Sequence, residues 1–374
     1  MKFARLLGAL LSAVSLCGLP LAWGASPASM KLYVAATGGS EVYVIDVTSN
    51  TVIKTLNVGK QPHGIAATAD GRWVWIATEG DGKIHKLDAV HDVVSESFAL
   101  GPYQQEMEIT NDGRLLYTGR FMDGCYDVFD TSTKKVVAHL SVDGSPHNVV
   151  KAANDDRFMY LAPMNLSPTG ADSAVAAKYA IARGVLRDCD GKPKTAYTTN
   201  DKIYVADTRT STIVGTIPVG NAPRPIVATN DGKRLYADID GFLGFVVVDT
   251  AARKVIERVK FPLVSDDERT TFSRAHGIGI TPDQKEVWTN SVNHGVVYAY
   301  DRTVEPLKLI ARIPVGASPY WIAFSPDNRF GYIALAEADA IAVIDVATHT
   351  LIKTIALPKN SGPKTIQVVA VPAE

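Results

Sequence analysis

An aspartate that recurs at a nearly fixed interval constrains this chain more than any other feature. Asp46, Asp88, Asp130, Asp207, Asp249, Asp301 and Asp345 are separated by 42, 42, 77, 42, 52 and 44 residues. The underlying period is 42, with 35 extra residues between the third and fourth marks and 10 between the fifth and sixth. A period of this size signals a repeat architecture in which each copy is one supersecondary unit. The first copy contains four strand-like segments, Lys31–Ala35, Glu41–Asp46, Thr51–Val58 and Gly64–Thr68. Val, Ile, Tyr and Trp are enriched in such segments, as strands require. Asp70-Gly71, Asp112-Gly113 and Asp231-Gly232 are strong hairpin dipeptides, and Asp155-Asp156, Asp283-Gln284 and Asp327-Asn328 replace them in other copies. Four antiparallel strands repeating every ~40 residues predict the blades of a propeller. Seven marks predict an all-β, seven-bladed β-propeller with four-stranded blades. The chain enters at a strand two, and Thr365–Val371 matches a strand one, so the C-terminal strand is expected to close the ring.

The segments Leu32–Ala36, Val74–Thr78 and Val287–Asn290 resemble the strand that gives the YVTN-repeat family its name. Pro62–Asp70 (PHGIAATAD) and Pro319–Asp327 (PYWIAFSPD) are similar to that family's Pro-x-Gly-Ile-Ala-x-(Ser/Thr)-Pro-Asp signature, each with departures. The resemblance covers nearly the whole chain after its first residues and implies the propeller fold. Similar propellers include the haem d1 domain of cytochrome cd1, the propeller of nitrous oxide reductase, amine dehydrogenase large subunits, lactonases and surface-layer proteins. Such variety implies no single activity.

Lys2 and Arg5 precede a largely apolar run from Leu6 to Leu21, followed by the small residues Ala22, Gly24 and Ala25. This is the layout of a secretory signal peptide, expected to span residues 1–25 and to leave residues 26–374 as the propeller, periplasmic or extracellular. No later stretch approaches the ~20 apolar residues of a membrane span. With 38 basic and 39 acidic residues, no global field argues for nucleic acid or a membrane surface. A monomer is expected. Cys125 and Cys189 are free to pair in an oxidising compartment, which would tie the long insertion to blade 3.

Propeller geometry puts the loop entering strand one at the mouth of the central channel. Aligning the copies there gives His63, Gln105, His147, Arg224, His276, Tyr320 and Lys364, with the copy holding His147 one residue longer before its turn. A Pro precedes five of them and fixes φ where the chain enters the inner strand. The residue after it varies, so the fold does not dictate it. His63, His147 and His276, with His294 on the same face, are candidate ligands for copper or another transition metal; solvated rim histidines are the alternative. Arg224 and Lys364 suit a carboxylate or phosphate. Tyr320 and Trp321 offer an amphipathic wall, or packing between blades. Glu106 and Glu108 read as solvated rim carboxylates, with Glu106 and His276 the candidates for catalytic acid–base work. The ruler aspartates read as turn residues.

The extra residues, about 163–200 and 262–274, also fall on the mouth face, where binding loops collect. Ala171–Leu186 is compatible with a short helix, and Asn165-Leu166-Ser167 with glycosylation. These observations favour a periplasmic or secreted propeller that binds a small polar or anionic molecule, or a protein partner, at its channel mouth. A metal-dependent oxidoreductase, a hydrolase or lyase using rim histidines, and a haem- or copper-handling redox partner are the alternatives. No Cys-x-x-Cys-His motif is present for covalent haem.

Overall fold

The computed structural model describes residues 29–101, 103–121, 123–165, 188–192, 200–262 and 275–373. The expected signal peptide, the segment Ala171–Leu186 and nearly all of the insertion at about 262–274 lie outside these residues. Seven four-stranded antiparallel sheets form the seven blades. In each blade the strands follow one another outward from the channel, except in blade 1. There the innermost strand is Pro363–Val371, paired with Ser29–Ala36 from Ser29↔Val371 to Ala36↔Pro363. The last strand therefore closes the ring, as the repeat phase predicts.

Burial explains why the middle strands are so apolar. Strand two of blade 7, Phe330–Leu335, is buried at every position because neighbouring blades cover both of its faces. The outermost strands alternate instead, as in Lys254–Lys260, with one side facing solvent. Every strand two carries a buried aromatic at one register, Tyr33, Trp75, Tyr117, Tyr160, Tyr236, Trp288 and Tyr332, the third residue of the strand in blades 2 to 7 and the fifth in the longer strand of blade 1. Several reach the outer turn of a neighbouring blade. The Tyr33 hydroxyl donates to Asp92 Oδ1 at 2.8 Å, Tyr332 donates to Asn50 Oδ1 at 2.7 Å, and Trp288 packs 5.8 Å from the His349 ring.

The ruler aspartates are turn residues. Asp46 accepts from the Ser49 amide at 2.7 Å, Asp88 from Val90 at 2.9 Å, Asp207 from Arg209 at 2.9 Å and Asp345 from Thr348 at 2.8 Å. Among the described residues no helix is long and apolar enough to cross a membrane.

Candidate functional site

Each inner strand enters the channel through the same irregularity. In blade 2, Pro62 pairs with Thr78 and Ile65 with Ile76, so three steps on the inner strand match two on its partner. This is a β-bulge, a device that re-aims side chains. The bulge holds His63 and Gly64. Its counterparts hold Gln105 and Glu106, Arg224 and Pro225, His276 and Gly277, Tyr320 and Trp321, and Lys364 and Thr365. The candidate residues thus lie within the strands at their entry rather than just before them.

Blade 4 departs from the expected alignment. There Ser145 pairs with Met164 and Asn148 with Ala162, so Pro146 and His147 occupy the bulge. His147 therefore belongs to the second position, level with Glu106, Trp321 and Thr365, one residue further in than His63 and His276. Its backbone amide donates to the Tyr126 hydroxyl at 3.0 Å, which secures it from blade 3.

The second position is glycine beside His63 and His276 for a steric reason. A Cβ on Gly64 would lie 2.2 Å from the Gln105 carbonyl oxygen, and one on Gly277 would lie 1.7 Å from that of Tyr320. Neighbouring inner strands touch there, and only glycine fits.

The three histidines converge. The His63 and His147 rings are 6.4 Å apart and the His147 and His276 rings 5.6 Å apart, both edge to face. The row continues to Tyr320 at 4.5 Å and Trp321 at 6.0 Å from His276, and Lys364 Nζ lies 5.5 Å from the centre of the Tyr320 ring. These are not solvated rim histidines. His63 and His147 are buried, and Nδ1 of both His147 and His276 is buried without a hydrogen-bond partner. Burial pushes the His147 imidazole well below its usual range, reinforced by His276, Arg224, His63 and Lys364. His276 is lowered in the same way, first by burial and then by Arg224 and Lys364. Both are neutral imidazoles near neutral pH.

His63 stands between two carboxylates. Its Nδ1 is 2.8 Å from Glu106 Oε1 and its Nε2 is 3.8 Å from Glu79 Oε1. Glu106 Oε1 also accepts from the Thr365 hydroxyl at 2.6 Å, and the Gln105 side-chain amide donates to Glu79 Oε1. Glu106 is 3 % exposed, which corrects its reading as a solvated rim carboxylate. Glu108 is partly buried and pairs with Lys151 at 2.9 Å.

Glu79, Asp240 and Asp238 are site residues that the sequence did not mark. Glu79 and Asp240 are each the first residue after strand two, in blades 2 and 5. Arg224 Nε donates to both Asp240 oxygens at 3.0 Å. Asp238 accepts from the Gly277 amide at 3.2 Å and from Thr289 at 3.0 Å, and so braces the bulge that carries His276. Burial raises the Asp238 carboxyl well above its ordinary value. The available signal was positional, since an acid opening the loop between strands two and three sits beside the entry bulge.

His294 does not join the row. It lies in a short 3-10 turn, Val292–His294, where its Nδ1 shares a 2.6 Å hydrogen bond with Ser291 Oγ. Among the described residues, one group of three ligating side chains comes within 4.8 Å: Cys125, Asp127 and His139. Its sulfur is already engaged, because Cys125 and Cys189 form a disulfide with Cα atoms 5.1 Å apart. That bond fastens the long insertion of blade 4 to blade 3.

Comparisons with known proteins agree with this architecture. The chain is 23% identical to the Seven-bladed beta-propeller protein Rv1057 of Mycobacterium tuberculosis, over 63% of this chain and 69% of that protein. Among solved structures it superposes on the periplasmic gluconolactonase PpgL of Pseudomonas aeruginosa with a TM-score of 0.68 and 16% identity, covering 92% of this chain and 99% of that one. Kuenenia stuttgartiensis hydrazine synthase gives a TM-score of 0.67 at 18% identity, covering 85% and 92%. The dihydro-heme d1 dehydrogenase NirN gives 0.60 at 16%, covering 91% and 75%. At such identities these likenesses show the fold alone. The Cytochrome D1 heme domain matches residues 30–161, the blades that carry His63 and His147. The Choice-of-anchor I domain matches residues 135–366, more than half of the chain, and the chain belongs to that family.

Proposed function

We propose that this chain is an extracytoplasmic propeller that binds a small anionic molecule at its channel mouth. One observation carries the reading: buried, neutral imidazoles with unpartnered nitrogens lie within the field of two positive charges, Arg224 and Lys364. The positive charges that oppose protonation of His147 and His276 favour an anion beside them. Tyr320 and Trp321 supply an apolar wall for its carbon skeleton. Calorimetry tests the reading. Small carboxylates or phosphate should bind the mature protein, and Lys364→Met or Arg224→Met should weaken that binding at least tenfold. Unaltered affinity in both variants, or no binding of any anion, would overturn it.

A second reading is favoured by the same unpartnered Nδ1 atoms. Neutral imidazoles fit copper, or the iron of a haem of the kind named in the matching heme-domain family. His147 and His276 would hold such a group, which would supply redox chemistry, with His63 and Glu106 available for proton transfer. Stoichiometric copper or a haem absorption band in protein from its native compartment, lost in His147→Gln, would put this reading in place of the first.

A further inference from the structure

We infer that the disulfide between Cys125 and Cys189 is the oxidised form of a zinc site: once a dithiol reductant opens it, both sulfurs join Asp127 and His139 around one Zn2+. The site lies on strands three and four of blade 3, away from the entry bulges, and stands whether or not the mouth binds an anion.

Cys125 and Asp127 stand two residues apart on the strand Cys125–Asp130 and so share one face of it. His139, on Lys135–Ser141, is the cross-strand partner of Asp127. Its Nδ1 is 2.6 Å from Asp127 Oδ1, Cys125 Sγ is 3.9 Å from the same oxygen, and the three ligating atoms lie within 4.8 Å of one another. Cys189 brings a second sulfur to this point. Two thiolates, an imidazole and a carboxylate make a tetrahedral zinc set, whose bond lengths put neighbouring ligand atoms roughly 3.3–3.8 Å apart. Side-chain shifts of about 1 Å therefore suffice.

The repeat does not ask for this acid. Its register holds Tyr43, His85, Tyr204, Val246, Tyr298 and Ala342 in the other blades. Asp127 is nonetheless 1 % exposed, and buried charges are kept where a partner or a metal meets them. In the disulfide form His139 and Arg120 attend it, with Arg120 Nε 3.6 Å from Asp127 Oδ2. That guanidinium offsets the single negative charge left when Zn2+ holds two thiolates and a carboxylate. Arg120 also donates to the Cys189 carbonyl at 3.2 Å, and Cys189 sits in a turn where the Asp190 and Lys192 amides donate to Asp188 Oδ1. These contacts keep Cys189 at blade 3 when the sulfurs part. His139 is half exposed and gives the ion its way in. In the reductive step the dithiol yields two electrons and two protons, closing its own disulfide, and Cys125 and Cys189 become thiols. Zn2+ then displaces both thiol protons to solvent, and the proton between His139 Nδ1 and Asp127 moves to Nε2, which frees Nδ1 to bind.

Zinc titration by calorimetry tests this on the mature wild-type protein, oxidised or reduced with excess dithiothreitol and desalted without air. The reduced protein should bind one more Zn2+ per chain than the oxidised protein, and Co2+ in that place should show the intense absorption of thiolate-bound tetrahedral cobalt. His139→Ala, at a half-exposed position, and Asp127→Asn, checked for an unchanged melting profile, should each weaken the added zinc at least tenfold. No added zinc on reduction, or a reduced chain that unfolds, would overturn the site. Unaltered affinity in His139→Ala would mean that the thiols bind alone, which overturns it as well. Should Asp127→Asn fail to fold, His139→Ala decides.

Discussion

At the turn that closes strand three, all seven blades carry aspartate; at the bulge that opens strand one, the same framework presents His63, Gln105, Pro146, Arg224, His276, Tyr320 and Lys364. The two regions are equally periodic in backbone and opposite in side-chain behaviour. The turn must do one thing seven times, which is to satisfy backbone amides where the chain reverses, and one short acceptor suffices. The bulge has no such duty, since its backbone is fixed by strand pairing and, in five of the blades, by glycine or proline beside the variable residue. Residues that repeat hold this ring together, and residues that break the repeat face the channel together. Asymmetry within a symmetric frame is what a single ligand site needs.

The largest expected effect tests the repeating side. Trp288 is fully buried, donates from Nε1 to Glu286 at 2.7 Å and packs against Phe324. Trp288→Ala should cost about 3–5 kcal/mol in a urea unfolding experiment, the range for large core truncations. Lys364→Met at the mouth should cost only about 0.5 kcal/mol, as surface changes do. Comparable losses would break the division between the two regions.

An intermediate effect comes from the neutral histidines. The His147 and His276 imidazoles are held below 6.5, so below that pH the unfolded chain takes up protons that the native mouth refuses. Stability should fall as the pH drops from 7.5 to 5.5, by at most about 1.4 kcal/mol per pH unit per histidine. Asp238 acts in the opposite sense, because its raised carboxyl contributes stability that is lost as the pH rises. A comparison of wild type with a His147→Gln, His276→Gln double variant removes the Asp238 contribution, which both share. The double variant should show the shallower acid loss, and equal slopes would show that these imidazoles are free to ionise.

The same contrast explains what was legible in the sequence. The fold could be read because aspartates and strand-two aromatics are imposed on every copy by packing and turn geometry. His63, Arg224, His276 and Lys364 could be placed because a repeating Pro or Gly marks their register. His147 was placed one step out because Pro146-His147 imitates Pro62-His63, whereas Ser145 holds the pairing position that Pro62 holds in blade 2. That difference lies in backbone hydrogen bonding, and side-chain spelling does not reveal it. Glu79 and Asp240 went unread because they open loops where the repeat demands nothing. Glu106 was misjudged because a carboxylate is ordinarily exposed; His63 and Thr365 make its burial tolerable.

The smallest effect sharpens the comparison from the turn side. Asp46 accepts from both the amide and the hydroxyl of Ser49 at 2.7 Å, and this turn presents Asn50 to the Tyr332 hydroxyl of blade 7. Asp46→Ala removes the acceptor but leaves the aromatic packing, so it should cost roughly 1 kcal/mol, the net worth of an ordinary hydrogen bond. Asp345 holds Thr348 in the same way, by amide and hydroxyl at 2.8 Å. Asp345→Ala should therefore cost about the same as Asp46→Ala, and neither should change affinity at the mouth. Equal small losses would show that one blade's turn is worth another's. A clear difference would mean that the closing seam, where blade 7 meets blade 1, carries more of the ring's stability than the repeat suggests.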